Sequence, residues 1–234
     1  MRNDKAKTLL PDVYNRLIAA YGPQHWWPGA NNPFDVCVGA ILTQSTSWTN
    51  VEKAITMMRN AGALSLIGIY EMPEKELSEL VHSSGYFNVK ARKLKALTQH
   101  VFDHHGGDLP AMLGQPWADL RAELLEVYGI GEETADDIVL YAACAPSFVV
   151  DTYTKRIVDR IGIPPALNRY ESYRALFMDA IPQDVSIYNE FHALLVKLGK
   201  DVCKKSSPLC QECPLTEICM TGSIALGSTS FLYQ

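Results

Sequence analysis

The sequence predicts an all-α protein, and three observations carry that expectation. Apolar residues recur at three- and four-residue spacing through nearly the whole chain, Gly, Pro, Asn and Ser punctuate the stretches between, and no apolar run is long enough to build a sheet. Ten segments show the helical period: residues 9–21, 36–42, 51–61, 77–83, 91–105, 117–127, 134–143, 152–161, 170–181 and 186–198. Only SFVVDT, residues 147–152, has strand character, and it is too short and isolated to pair. No repeat of fixed period is present, and the Gly- and Ser-bearing segment 221–234 reads as a loose tail.

At 234 residues, 47% of them hydrophobic, the chain can build two modest cores or one large one. The opening MRNDKAKTLLPD contains no apolar run of signal-peptide length, and no stretch approaches a membrane span. A cytoplasmic protein without membrane partners is the expectation, and in that compartment clustered cysteines mean metal or catalysis. Cys37 and Cys144 sit in apolar runs and read as small buried hydrophobes. The net charge of −5 argues weakly against nucleic acid, because phosphate affinity rests on Lys and Arg. Distribution matters more: basic residues gather at Lys90, Arg92, Lys93 and Lys95, at Lys155 and Arg156, and at Lys197, Lys200, Lys204 and Lys205. Each run alone reads as a solvated helix face.

Near the C-terminus, Cys203, Cys210, Cys213 and Cys219 are separated by six, two and five residues. A [4Fe-4S] cluster takes one cysteine per iron and tolerates uneven loops. Structural zinc prefers two close pairs split by a longer spacer, and only Cys210 and Cys213 form such a pair, so the spacing favours the cluster with zinc as the rival. Residues 124–138, LLEVYGIGEETADDI, read as a helix, a tight turn with Gly129 and Gly131 flanking Ile130, and a second helix starting near Glu132 and Glu133. Two glycines permit positive φ and bare the turn's N–H groups beside a helix N-terminus, where a phosphate would fit; an ordinary αα-hairpin turn is the plainer alternative. Asp151 follows an apolar run and precedes an amphipathic helix, the place of an N-cap. His100 and His104 lie four apart on a helix, but with no third ligand nearby they read as helix-end histidines. His25, His82 and His192 carry no signal.

GAILTQSTSW, GIGEETA, VVDTYTKRI and the four-cysteine loop together resemble the DNA glycosylases of the endonuclease III superfamily, over about residues 10–220. The resemblance implies a central helical domain over 30–138 and a second over 1–29 with 139–220, flanking a DNA groove. It further implies a helix-hairpin-helix at about 121–143 gripping the backbone through Gly129, Ile130, Gly131 and Thr134. The cluster loop, 203–219, would carry Lys204 and Lys205 to DNA. Asp151 would be catalytic at the mouth of a base pocket, and Gln44 would fill the gap left by an extruded base. The implied partner is double-stranded DNA with a damaged base, bound by a monomer, in a bacterial or archaeal cytoplasm beside the nucleoid.

Two departures bear on the chemistry. Bifunctional members place a lysine after the hairpin to form a Schiff base, and here Glu133 stands in that position, so a lyase step should be absent or borrow an amine such as Lys155. Adenine glycosylases need a glutamate five residues before the gap-filling glutamine, where this chain has Gly39. A monofunctional glycosylase remains, with Asp151 stabilising an oxocarbenium-like sugar. Trp26, Trp27 and Trp48 offer rings for a base pocket, although Trp27 and Trp48 could equally be core. They most resemble the 3-methyladenine glycosylases of this type, whose cationic base is attracted to an indole face. Mismatched uracil or thymine, oxidised pyrimidines, and a non-catalytic damage-binding protein are the alternatives.

Overall fold

The computed structural model describes residues 2–227, and among these the chain is helical throughout, with no strand. Two compact units form: residues 27–145 make one, and residues 1–26 with 146–234 make the other. The 27–145 unit runs on to Ala145 because the second hairpin helix continues as a π-helical turn, Ile138–Ala142, whose residues are buried in that unit's core.

The 27–145 unit is built around α2 (Pro33–Leu42), nine of whose ten residues are buried. Its start is set locally: the Asn32 side chain accepts from Asp35 N, and Pro33 supplies the preset φ of a first helical residue. Buried Asp35 accepts in turn from Asn31 N and from Arg59 Nη2 at 3.1 Å, which ties α2 to α3 (Trp48–Asn60). Two short helices, α4 (Leu66–Glu71) and α5 (Glu74–Leu80), lead into the long α6 (Phe87–His105). Gly106, at φ 60, stops α6 in the left-handed conformation that glycine adopts at least cost. Then come α7 (Leu109–Leu113), α8 (Trp117–Glu126) and α9 (Glu132–Asp137). Lys90 is 2% exposed on α6 and donates from Nζ to Leu42 O and Ser84 O, capping the end of α2 from within the core.

The other unit joins α1 (Arg2–Tyr21) to α10 (Thr152–Ile161), α11 (Tyr170–Ala180), α12 (Val185–Asp201) and α13 (Met220–Ala225). Its core is aromatic: Phe148 stacks on Phe177 at 4.0 Å, and Phe191 and Tyr188 meet Phe148 edge-on. Such pairs contribute about 0.5–1.5 kcal/mol each beyond the area they bury. Residues 147–151 form no strand; they thread Phe148, Val149 and Val150 through this core and deliver Asp151 to the start of α10, whose first residue is Thr152.

Several expectations are corrected. Residues 221–225 of the expected tail belong to α13, capped by Cys219, and residues 228–234 lie outside the described residues. Cys144 is exposed, because it follows the π-helical turn at φ 51, where the chain leaves the core of its unit. No helix among the described residues is long and apolar enough to cross a membrane.

Candidate nucleic-acid and catalytic site

The turn between α8 and α9 needs glycine at one position only. Gly129 has φ +84, and a Cβ there would stand 2.3 Å from Lys93 Cγ. Gly131 is extended, φ −99 and ψ −179, with open space around it, so of the two glycines that permit a positive φ only Gly129 uses it. Gly131 caps α9 instead, its carbonyl accepting from Ala135 N at 2.9 Å. Buried Ile130 anchors the turn to the core. Arg121 on α8 forks onto Asp136 on α9 at 2.8 and 3.1 Å, and Asp136 is wholly buried, so the pair fixes one helix against the other.

Gln44 stands in the turn after α2, and its amide reads the hairpin directly. Its Nε2 donates to Gly129 O at 3.1 Å and to Thr134 Oγ1 at 2.9 Å, while Oε1 accepts from Lys93 Nζ. Glu133 is exposed in the first turn of α9 beside Glu132. Trp27 meets Trp48 at 5.4 Å and Tyr141 at 5.2 Å, both edge-on. The absence of a side chain at Gly39 lets the indole of Trp27 lie on α2: a Cβ there would stand 3.2 Å from Trp27 Cζ2 and Nε1. A glutamate at position 39 would therefore collide with Trp27. Tyr141 was not singled out in the sequence, since within an apolar run it looks like any core residue. Trp26 is half-buried and belongs to the unit containing α1.

Asp151 is the N-cap of α10, Oδ1 accepting from Thr154 N at 2.7 Å. Its Oδ2 lies 4.0 Å from Nε2 of His192, a buried residue of α12. Burial pushes the His192 pKa down, partly opposed by the Asp151 charge, so the ring is held toward its neutral form. His192 carried no signal in the sequence because its neighbour lies 41 positions away. Lys155 points its Nζ over the rings of Tyr170 and Tyr173, at 5.7 and 5.6 Å.

The four cysteines line one concavity, together with Arg160, Val202 and Leu209. The donors are soft and all sulfur, which suits an iron–sulfur cluster or zinc. Burial, with the other three cysteines adding repulsion, pushes the Cys213 thiol up to about 11, a cost that bound cations would offset. The Tyr21 hydroxyl is buried without a hydrogen-bond partner; burial, with Cys213 and Cys203 among the charges it feels, raises its pKa to about 12. Helix α10 braces the loop. Arg160 donates to Lys204 O at 2.7 Å, Lys205 O at 3.0 Å and Cys203 Sγ at 3.2 Å, and Arg156 donates to Cys203 O and Gly199 O. Lys204 and Lys205 themselves are exposed. Asp151 and the loop are thus held by opposite ends of one helix.

A hairpin bridged by a glutamine, an acid capping a helix and a four-cysteine loop define a helix-hairpin-helix repair protein. Residues 38–183 match the HhH-GPD superfamily of base excision DNA repair proteins, and the chain belongs to that family, as a DNA glycosylase of the endonuclease III type. It is 41% identical over 214 residues to a Methanocaldococcus jannaschii protein described as a DNA repair glycosylase, covering 91% of this chain and 96% of that one. The fold matches a trapped endonuclease III–DNA covalent intermediate at a TM-score of 0.81 and 24% identity, covering 94% of this chain and 98% of that one. It also matches the H. pylori 3-methyladenine DNA glycosylase bound to 1,N6-ethenoadenine, at a TM-score of 0.72 and 25% identity, over 83% of this chain and 97% of that one.

Proposed function

We propose that the protein is a monofunctional, monomeric glycosylase that extrudes an alkylated purine such as 3-methyladenine from double-stranded DNA and hydrolyses its N-glycosidic bond. The carrying observation is the Asp151 carboxylate, held in one orientation by Thr154 N with its second oxygen facing a buried imidazole. As the bond between C1′ and the base breaks, the electron pair leaves with the base and positive charge grows on the sugar. A fixed carboxylate stabilises that charge and orients the water that adds at C1′. A base alkylated at N3 is cationic and departs neutral, so it needs little help from a general acid. Its charge also favours the electron-rich faces offered by Trp27, Trp48 and Tyr141.

Glu133 supports the monofunctional reading, because a carboxylate cannot form a Schiff base; Lys155 is engaged with two tyrosine rings. In this reading Gln44 fills the gap in the duplex, and Gly129, Ile130, Gly131 and Thr134 present the hairpin backbone to phosphates. Lys204 and Lys205 add charge. Cys203, Cys210, Cys213 and Cys219 hold a [4Fe-4S] cluster, which supplies order to the basic loop. The likeness to the 3-methyladenine glycosylase complex favours the alkylated substrate.

Free base released from duplexes carrying 3-methyladenine, 7-methylguanine, uracil, thymine glycol or a G·T mismatch tests this. Release of the alkylated purines with the strand left intact is expected. Release from thymine glycol with nicking would overturn the reading of Glu133, and release confined to uracil or mismatched thymine would replace the substrate.

A further inference from the structure

We propose that His100, His105 and Glu123 bind one divalent transition-metal ion of the zinc class, clamping the end of α6 to α8, the first helix of the hairpin. The third ligand missing from the sequence around the histidines is supplied by the fold. His100 Nε2 and His105 Nε2 each stand 2.6 Å from Glu123 Oε1. Among the described residues these three side chains form a group whose donor atoms all lie within 4.8 Å of one another.

The donor set is that of a zinc site with an open position: two imidazoles and a carboxylate, with water as the fourth ligand. Zinc bonds of about 2.0–2.1 Å in a tetrahedron place ligand pairs roughly 3.3 Å apart. Opening the two histidine–carboxylate contacts from 2.6 Å to that spacing is a shift of about 0.7 Å, and the two imidazole nitrogens, within 4.8 Å of each other, close by at most about 1.5 Å. Each side chain is 15–21% exposed, which leaves a path for the ion and its water. The surroundings orient the ligands as metal sites require. Gln115 Nε2 donates to Glu123 Oε2 at 2.6 Å, turning Oε1 toward the imidazoles, and His104 stacks on His100 at 4.3 Å, fixing that ring. Hydrogen bonds alone would direct two imidazole donors onto one oxygen; a divalent ion replaces both protons with one shared cationic centre. These residues are separate from Asp151 and from the cysteines, so the inference stands whether or not the proposed substrate is right.

Zinc titrated into the full chain, loaded with its cluster and checked for iron content, tests the site calorimetrically and by zinc-edge X-ray absorption. One equivalent should bind to the wild type. It should be lost in His105→Asn and in Glu123→Gln with iron content unchanged. The wild-type spectrum should show only nitrogen and oxygen neighbours, near 2.0–2.1 Å. At a hundredfold excess over Kd the melting temperature should rise by about 5–10 °C. No saturable binding to the wild type overturns the proposal, as does a first shell containing sulfur near 2.3 Å, or undiminished binding in both variants. Should the variants fail to fold, the wild-type stoichiometry and spectrum decide alone.

Discussion

Replacing Arg160 with alanine removes three hydrogen bonds at once, those to Lys204 O, Lys205 O and Cys203 Sγ. A bond from a charged donor contributes about 1.5–3 kcal/mol where water is excluded and nearer 0.5 kcal/mol where it competes. The two carbonyl bonds are solvent-exposed and take the lower figure, while the Cys203 contact is part-buried and is worth about 1–1.5 kcal/mol. The loss is therefore about 2–2.5 kcal/mol. For a chain of this length it corresponds to a fall in melting temperature of roughly 4–10 °C. Arg160→Lys keeps the charge but not the fork, and should recover less than half. Thermal melts with iron analysis read the stability of the loop, and binding of undamaged duplex at several salt concentrations reads its function. Affinity should fall, because Lys204 and Lys205 lose their fixed positions, while base release from the bound complex holds steady. A melting temperature changed by less than about 1 °C with full iron content would refute the reasoning.

Gly39→Ala sets a helix gain of about 1 kcal/mol against a methyl group 3.2 Å from the Trp27 indole, which costs a similar amount. Stability should stay within about 0.5 kcal/mol while the KM for alkylated duplex rises and the chemical step is kept; weakened chemistry with unchanged KM would count against Trp27 as part of the pocket. Burial lowers the Lys90 ammonium pKa to about 8, with Lys93 adding to the effect. The unfolded chain then binds the extra proton between about pH 8 and 10.5, so stability should rise with pH across that window, by up to about 3 kcal/mol. A neutral amine still has two N–H groups for Leu42 O and Ser84 O. Denaturant melts from pH 7.5 to 9.5 should show the wild type gaining stability relative to Lys90→Met, the difference growing as pH rises.

Much of the fold was legible because the strongest signals are local. Residues 152–161 are a helix to the residue, bounded by the Asp151 cap and by Gly162 at φ 92. The short α4 and α7 carry too few turns to show a period, and α13 hides behind glycine and serine. At the candidate site, the hairpin turn could be read from its glycines, the Asp151 cap from the apolar run before it and the cysteines from their spacing, while the roles expected of Asp151 and the hairpin came from the family resemblance. What could not be read were the pairings that the fold makes across long stretches of chain: His192 beside Asp151, Glu123 between two histidines, Gln44 on the hairpin backbone. Arg156 and Arg160 were the hardest to see, since a basic helix face bonded to loop carbonyls has the same sequence as one facing water. Gly131 makes a related point: glycine permits positive φ without requiring it.

Whether the Asp151 carboxylate performs the proposed hydrolysis is decided by Asp151→Asn in single-turnover release of 3-methyladenine from duplex DNA. Asparagine caps a helix as well as aspartate, so the bond to Thr154 N is kept and stability should change by less than about 0.5 kcal/mol. Losing the carboxylate should slow release by about 100- to 1,000-fold with affinity for the duplex unchanged. A folded, DNA-bound variant that still releases the base within about threefold of the wild-type rate would contradict the account, as would a wild type that binds the alkylated duplex and leaves it intact.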